Sequence, residues 1–277
     1  MYGLLVPAND ARVKRTAMAE TRVKNGLVRP ENFSVCRIPL HALEKPRPGE
    51  AHIWYLNLGR LGQSLQHALG GEPARGESVE SVQQQLSLGQ LRFARRFYFR
   101  LLLGAYLGIP GKSVKINRSN RGKPVLDESE HQSDLHFSIA KSEDRVLFGF
   151  SSTTLVGVDL EPAGRVAHNP LGVARRYFSK LEADNLEQLP QERQAEAFLR
   201  VWACKESVVK ASGQGIANQF CRFSVEVNPD QPPAVVEFEE EDPARWSLAL
   251  VHPDEGFLGA VAMHHRQMKI RAFRLGA

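Results

Sequence analysis

The chain has 277 residues, of which 42% are hydrophobic and 24% are charged, as in ordinary globular proteins of one large domain or two small ones. Its net charge of +5 at pH 7 favours acidic partners such as nucleic acids, phosphorylated small molecules or acidic proteins, without deciding among them. No stretch approaches the roughly 20 apolar residues of a membrane span, the N-terminus lacks a secretory pattern, and three scattered cysteines favour a cytoplasmic protein over a disulfide framework.

The first half of the chain predicts one strand, one long helix and several further strands. Residues 1–30 carry scattered Lys and Arg with little periodicity, and we expect them to form a loosely packed N-terminal arm. Residues 52–58 have the composition of a strand, and residues 78–107 show apolar residues at helical spacing. A short strand, a polar turn and a Gly-Lys-Pro segment follow in residues 111–126. Three strands with tight connections, which predict an antiparallel meander, are expected at 135–140, 145–151 and 154–162.

The second half predicts two helices followed by strands. Ser179 and Glu182 have the spacing of a helix capping box, and residues 191–212 form a long helical pattern that stops at Gly213. Strands separated by turn-rich segments follow to the end of the sequence. We therefore expect an α+β, pseudo-dimeric fold with two similar halves, each with a small, mostly antiparallel sheet and a long helix. After the arm, the halves would span residues 31–153 and 154–277.

Several common catalytic motifs are incomplete or absent. The segment GIPGKS ends like a phosphate-binding loop, but Tyr106 stands where that loop requires a glycine, five residues before Gly111. No GxGxxG pattern follows a predicted strand and no GxSxG segment occurs, so neither a dinucleotide-binding fold nor a Ser-His-Asp hydrolase is supported. His264 and His265 are adjacent at a strand end and face opposite ways, which favours a surface pair over a metal site.

Two carboxylates in the segment GVDLEP point to the same side of a predicted strand. Asp159 and Glu161 are two residues apart, so their side chains share one face, and Pro162 ends the strand and places both acids at a rim. Their separation is short enough for both carboxylates to bind one ion. The alternative is a pair of solvated acids at a sheet edge.

Glu206 lies where the long helix of residues 191–212 should be apolar. Its position falls on the face shared by Ala195, Phe198, Leu199, Trp202 and Val209. A buried carboxylate is costly unless it is paired or bound to metal, and Lys210, one turn later, offers a plain helix ion pair as one explanation. That pair normally occupies a solvated face. Combined with Asp159 and Glu161, Glu206 would complete an oxygen-rich site that suits Mg²⁺ and a diphosphate substrate.

These segments together resemble a known family. The segment GVDLEP, then RRYFSKLE, then WACKESVVKASGQG is similar to the signature of the 4′-phosphopantetheinyl transferases of the surfactin-synthetase type. Upstream, NRGKPVL resembles the Gly-Lys-Pro turn of that family. The similarity covers residues 78 to 225. The matching signature positions are Gly157, Asp159, Glu161, Trp202, Lys205, Glu206, Ser207, Lys210, Gly213 and Gly215.

The resemblance implies an activity and a partner. Such enzymes transfer the 4′-phosphopantetheine arm of coenzyme A to a serine of an apo acyl or peptidyl carrier protein and release adenosine 3′,5′-bisphosphate. Carrier proteins of this kind are acidic, and we expect one to dock near residues 170–200 on this basic chain. Coenzyme A would lie in the crevice between the halves, and we expect the monomer to be sufficient for activity.

The resemblance also assigns roles to particular residues. Asp159, Glu161 and Glu206 would hold Mg²⁺ against the diphosphate, and Glu206 would also accept the proton of the carrier serine. Lys210 would contact the phosphates and stabilise developing charge. The residues implied in binding coenzyme A are Lys123, Pro124, Lys141, Arg96 and Lys210. Lys205 projects away from Glu206 and is assigned to structure or phosphate binding, and Trp202 to the core.

One departure from the family pattern leaves an alternative open. Family members carry a Ser-His pair where this chain has Ala140 and Lys141 in FSIAKS. Lys141 could supply the phosphate contact as a stronger point charge, so we expect binding of coenzyme A to be retained. The alternative is a coenzyme A-binding protein that has lost catalysis at this place, although the carboxylates are retained. A nucleic-acid binder, suggested by the basic charge, lacks any interleaved aromatic and basic strand motif, and we expect no nucleic-acid or membrane partner.

Overall fold

The computed structural model describes residues 26–62, 86–165, 168–213, 219–239 and 241–276. The α-helices are α1 (Leu88–Leu107), α2 (Pro170–Tyr177), α3 (Lys180–Gln188) and α4 (Gln191–Ser212). Residues 58–62, at the border of a described range, are also helical. The strands are β1 (Leu27–Val28), β2 (Phe33–Arg37), β3 (Glu50–Asn57), β4 (Ile116–Arg118), β5 (Pro124–Leu126), β6 (Leu135–Ser142), β7 (Arg145–Ser152), β8 (Val156–Pro162), β9 (Phe223–Val225), β10 (Val235–Phe238), β11 (Ser247–Val251), β12 (Phe257–Met263) and β13 (Lys269–Gly276).

Two sheets lie face to face and each carries one long helix on its outer side. The five-stranded sheet has the order β2-β13-β3-β7-β6, and α1 packs on it through aromatic residues such as Phe99 against Phe148. The four-stranded sheet has the order β1-β11-β12-β8, and α4 covers it. Apolar residues of both sheets, among them Ile53 and Val158, form the core between them. The predicted α+β fold with two sheet-and-helix halves is confirmed.

The two ends of the described chain contribute strands to the sheet of the opposite half. Strand β1 pairs with β11 in parallel, with Leu27 opposite Leu250. Strand β13 is inserted between β2 and β3 and is parallel to both. All other ladders are antiparallel, as expected for most of the sheet. The division into an arm of residues 1–30 and two halves stays a prediction, but strand pairing crosses both of its boundaries.

The predicted meander of three strands is wrong in its third member. Strands β6 and β7 form an antiparallel pair, but β8 pairs with β12 in the other sheet. A short connection containing Thr153, with φ of 65°, carries the chain from one sheet to the other. The backbone N–H of Val158 in β8 then donates to the Ser138 hydroxyl of β6 across the interface, at 3.1 Å. Both faces of β8 are covered, because apolar side chains fill the core and α4 covers the other side.

The helix ends follow the local capping chemistry. Helix α1 begins at Leu88 and not at Ser78, where the periodicity predicted its start. The Ser87 hydroxyl accepts from the Gln90 backbone N–H, and the Gln90 side-chain oxygen accepts from the Ser87 backbone N–H, which forms a capping box. Residues 78–85 lie outside the described ranges, and 86 and 87 are not helical. Helix α4 has its predicted bounds, with Gly213 left-handed at φ of 68°. The capping box at Ser179 starts α3 as predicted, whereas α2 was not predicted. No helix in the described ranges combines the length and hydropathy needed to cross a membrane.

Candidate active site

A glycine in β8 lets helix α4 approach the strand backbone. A Cβ on Gly157 would lie 1.9 Å from the carbonyl oxygen of Ser207 and 2.5 Å from the backbone nitrogen of Ala211, so only glycine fits there. Val158 faces the core between the sheets, so its neighbours Gly157 and Asp159 lie on the opposite face of β8, toward the helix. The close contact therefore sets the acids of β8 beside the turn of α4 that carries Glu206.

A lysine of α4 joins the two predicted acids of strand and helix. The Lys210 ammonium donates to Asp159 Oδ1 at 2.6 Å and lies 3.8 Å from Glu206 Oε2. Asp159 is 5% exposed and Glu206 8% exposed, so both carboxylates are largely withdrawn from water. The second oxygen of Asp159, Oδ2, is buried without a hydrogen-bond partner. An ionised carboxylate with an unsatisfied buried oxygen is costly, which indicates a position for a further ligand.

The electrostatics of Glu206 reflect the convergence of three acids. Burial raises the pKa of Glu206, the Lys210 charge opposes that shift, and the negative charges of Asp159 and Glu161 raise the pKa further. The three carboxylates therefore interact through their charges. A raised pKa makes Glu206 a stronger proton acceptor once it is ionised.

Glu161 has a partner that the sequence analysis did not identify. The Arg165 guanidinium donates to Glu161 Oε2 at 2.6 Å from a turn in which the Arg165 N–H bonds the Pro162 carbonyl at 3.0 Å. The spacing of four residues after Glu161 was the available signal, but this spacing predicts a contact only in a helix or a tight turn. The turn is what brings the guanidinium back over the strand end.

The predicted metal ligands fit Mg²⁺ by their chemistry. Asp159, Glu161 and Glu206 offer only hard carboxylate oxygens, and one oxygen of Asp159 has no partner. Among the residues that the structure describes, however, no group of three or more Asp, Glu, His or Cys side chains is arranged to hold a metal ion. Lys210 and Arg165 instead hold the carboxylates of β8. The assignment of this set to a metal stays a prediction.

A cleft between the two halves opens beside Lys210. Its volume is about 340 Å³, which falls in the range of small-molecule pockets. The hairpin β4–β5 and strand β6 line one side, and the end of α4 lines the other. The lining residues are Arg121, Gly122, Lys123, Pro124, Phe137, Ser138, Ile139, Val209, Lys210 and Gly213. The predicted coenzyme A contacts Lys123, Pro124 and Lys210 thus lie together.

Lys123 ties the hairpin to the C-terminal turn of α4. Its ammonium donates to the Lys210 carbonyl oxygen at 2.6 Å, which satisfies one of the acceptors left free at a helix end. Burial lowers the pKa of Lys123 to about 8. A cation with a lowered pKa that faces a cleft suits a site that binds an anion, since bound negative charge restores its protonated form.

Two predicted coenzyme A contacts lie outside this cleft. Lys141 is exposed on β6, two residues beyond Ile139, and Arg96 is exposed on α1. Ala140 is 3% exposed and packs in the core between the sheets. Of the two positions at which this chain departs from the Ser-His pair of the family, the first is therefore buried and the second is exposed to solvent. Gly215, in the family signature, lies outside the described ranges.

Lys205, next to Glu206, belongs to a closed structural cluster. Its ammonium donates to both oxygens of Glu182, at 2.8 and 2.7 Å, and to the Phe223 carbonyl at 2.6 Å, and both side chains are 0% exposed. Trp202 packs against the core around α4, as expected. Lys205 thus pins α3 and the start of β9 to α4, in line with the structural role suggested for it.

Larger cavities occur elsewhere but contain none of the predicted site residues. One of about 520 Å³ lies around Arg29 and Arg200, and one of about 530 Å³ lies along the edge strand β2. The smaller cleft is therefore distinguished by its chemistry and not by its size. A few polar groups on apolar walls, in a crevice between two halves, are typical of a binding site for a small molecule.

Comparisons with known proteins show which family this chain resembles. The family model of the 4′-phosphopantetheinyl transferase superfamily, named ACPS, matches residues 155–262. The 4′-phosphopantetheinyl transferase HetI of Nostoc sp. is 31% identical over 228 residues, which are 77% of this chain and 87% of HetI. Sfp of Bacillus subtilis, also named a 4′-phosphopantetheinyl transferase, is 27% identical over 66% of this chain and 89% of its own length.

Similarity at this level identifies the family. The chain belongs to the 4′-phosphopantetheinyl transferase superfamily. A solved structure of a holo-(acyl-carrier-protein) synthase from Bacillus anthracis, in complex with CoA (3′,5′-ADP), is 21% identical with a TM-score of 0.32, covering 39% of this chain and 93% of that chain.

Proposed function

We propose that this protein transfers the 4′-phosphopantetheine moiety of coenzyme A to a serine of an apo acyl or peptidyl carrier protein. The observation that carries the proposal is the close packing at Gly157, which sets Asp159 beside Lys210 and Glu206 at the border of the cleft between the halves. The family membership supports the same reaction. Similarity to Sfp and the presence of two sheet-and-helix halves support the surfactin-synthetase type.

The residues of the cleft would bind and orient coenzyme A. Lys123 and Lys210 supply two ammonium groups for its phosphates, and Pro124 and Ile139 give an apolar wall. A phosphate on Lys210 would compete with Asp159 for the ammonium donors. Lys141 and Arg96 are proposed to contact the parts of coenzyme A that extend beyond the cleft, since both are exposed.

The acids would hold the metal and accept the proton. Asp159, Glu161 and Glu206 are proposed to hold Mg²⁺, which would offset phosphate charge and stabilise the leaving group when bound. Glu206 accepts the hydroxyl proton of the carrier serine while the serine oxygen forms a bond to the phosphorus atom on the pantetheine side of coenzyme A. The bond to the bridging oxygen breaks, and adenosine 3′,5′-bisphosphate leaves. Lys210 donates to the charge that develops on the phosphate oxygens.

The carrier protein is proposed to dock on α2 and α3. Tyr177 is 46% exposed and Leu181 39% exposed, so apolar area is available beside the exposed Arg176 and Lys180. An acidic partner with an apolar centre would match this surface. We further propose that the protein acts as a monomer in the cytoplasm.

A single assay separates this proposal from the alternative of a coenzyme A-binding protein without catalysis. Purified protein is incubated with coenzyme A, MgCl₂ and an apo-carrier, and the intact carrier is weighed by mass spectrometry. Gain of one phosphopantetheine group, abolished by EDTA and restored by excess MgCl₂, is the expected result. An unmodified panel of apo-carriers, with coenzyme A binding intact by calorimetry, would establish the alternative.

A further inference from the structure

Two cations of the chain itself partly offset the charges of the three carboxylates of the site. Lys210 bonds Asp159 and approaches Glu206, while Arg165 bonds Glu161. The two cations differ in setting, because the Lys210 side chain is 29% exposed and the Arg165 side chain 58% exposed. Lys210 is part of a long helix, whereas Arg165 belongs to the turn after β8.

Arg165 is placed to be released. The Arg165 N–H donates to the Pro162 carbonyl, and the Ala163 N–H donates to the Gly256 carbonyl at 2.7 Å, so the turn is anchored while the Arg165 side chain borders solvent. The guanidinium of the pair is mostly exposed, whereas the Glu161 side chain is 13% exposed, so water can solvate Arg165 when it leaves the carboxylate.

We propose that Arg165 is an internal counter-cation that competes with the divalent metal ion for Glu161. The inference rests on the proposed function, because it takes Asp159, Glu161 and Glu206 as the metal ligands. Mg²⁺ requires an oxygen at about 2.0–2.1 Å, and a guanidinium bonded to the same carboxylate repels the approaching dication. Metal binding therefore displaces Arg165 into solvent, and Arg165 lowers the metal affinity without blocking the site.

The Arg165 charge also has a function in the metal-free protein. Three acids that interact at short range destabilise one another when all are ionised, and Arg165 together with Lys210 offsets two of the three charges. The site thus stays assembled before the ion arrives. The expected consequence is a metal affinity that is set by the chain as well as by its ligands.

Direct binding of Mn²⁺, followed by electron paramagnetic resonance without coenzyme A, tests the competition independently of transfer activity. Arg165→Ala is expected to bind Mn²⁺ about two- to tenfold more tightly than the wild type, the size expected for loss of one exposed competing charge. Arg165→Lys, which keeps the charge, should bind like the wild type. Arg266→Ala is the matched control, because it removes an exposed arginine beyond Met263, which pairs with Val156 at the opposite end of β8.

A second comparison asks whether the effect passes through Glu161. In a Glu161→Gln background, removal of Arg165 should leave Mn²⁺ affinity unchanged, which a general charge effect would not. Unchanged or weaker binding by Arg165→Ala overturns the inference, since weaker binding would make Arg165 a group that orients Glu161 for the metal. Absence of Mn²⁺ binding to the folded wild type, with transfer activity intact, would reject the metal ligands and this inference together, while loss of transfer alone would not affect it.

Discussion

Two charged clusters lie on different sides of one turn of α4, and they differ in how completely their polar atoms are hydrogen-bonded. Glu182 and Lys205 are both fully buried, the ammonium has three acceptors, and Glu182 also accepts from the backbone of Val225 at 2.8 Å. Around Glu206, by contrast, one oxygen of Asp159 is buried without a partner and Lys210 borders an open cleft. The closed cluster needs nothing more, whereas the open one has capacity for a ligand.

This contrast separates neighbouring residues by role. Lys205 and Glu206 are consecutive in the sequence and both are buried, yet one points to α3 and the other to β8. Successive helix residues differ by about 100° in direction, so adjacent charges can serve different layers. Burial of a charge alone does not distinguish these two clusters, whereas the unpartnered oxygen of Asp159 does.

The largest effect is expected from the open cluster. Glu206→Gln should keep the fold and lower transfer to the carrier by about 10²–10⁴-fold, because the amide cannot accept the serine proton. Initial rates by mass spectrometry, with circular dichroism as the folding control, measure this. Near-normal modification of the carrier by this variant would falsify the assigned role.

The closed cluster should respond in stability instead. Lys205→Met leaves Glu182 buried without its partner, and the free energy of unfolding is expected to fall by about 3–5 kcal/mol. Urea titration measures the loss. The double variant with Glu182→Leu should recover much of the stability, since no buried charge then remains. A single variant as stable as the wild type would show that the pair is not structural.

Gly157 connects the open cluster to the fold. Gly157→Ala places a methyl group against the backbone of α4 and is expected to cost about 3 kcal/mol of stability, at the upper end for overpacking by one methyl group. Because the strand and helix must separate, transfer activity should fall as well. Gly164→Ala, where a Cβ meets nothing within 4 Å, is the control and should change neither quantity. Equal behaviour of the two variants would contradict the close-packing argument.

The smallest effect concerns pH and Lys123. Burial lowers the pKa of Lys123 to about 8, so its charge is present below this pH and is lost as pH rises above it. If the ammonium captures a phosphate, kcat/KM for coenzyme A should decline above pH 8, because this ratio reports the free enzyme. Lys123→Arg keeps its charge and should flatten that limb. The same decline in the wild type and in Lys123→Arg would assign this limb of the pH profile to another group.

Local signals predicted most of the elements and part of the site. The capping box at Ser179, the stop at Gly213 and the alternation of Asp159 and Glu161 are consequences of a few neighbouring residues, and they appear as expected. Helix α1 shows the limit of periodicity, because the apolar spacing continued beyond the true start and only the box at Ser87 marked it. The positions of the predicted coenzyme A contacts Lys141 and Arg96 could not be derived from spacing, since exposure depends on neighbours that are distant in the chain.

The sequence by itself determined the candidate residues of the site: the acids of GVDLEP, Glu206 on an otherwise apolar helix face and the lysines around them. The tertiary structure decided their partners, since it moved β8 to the second sheet, inserted β13 into the first and brought Lys210 of α4 onto Asp159 of β8. The physical reason is the distance along the chain over which each kind of interaction acts. Backbone periodicity and capping act within a turn or two, whereas strand pairing and the choice of counter-ion depend on which distant surfaces exclude water together.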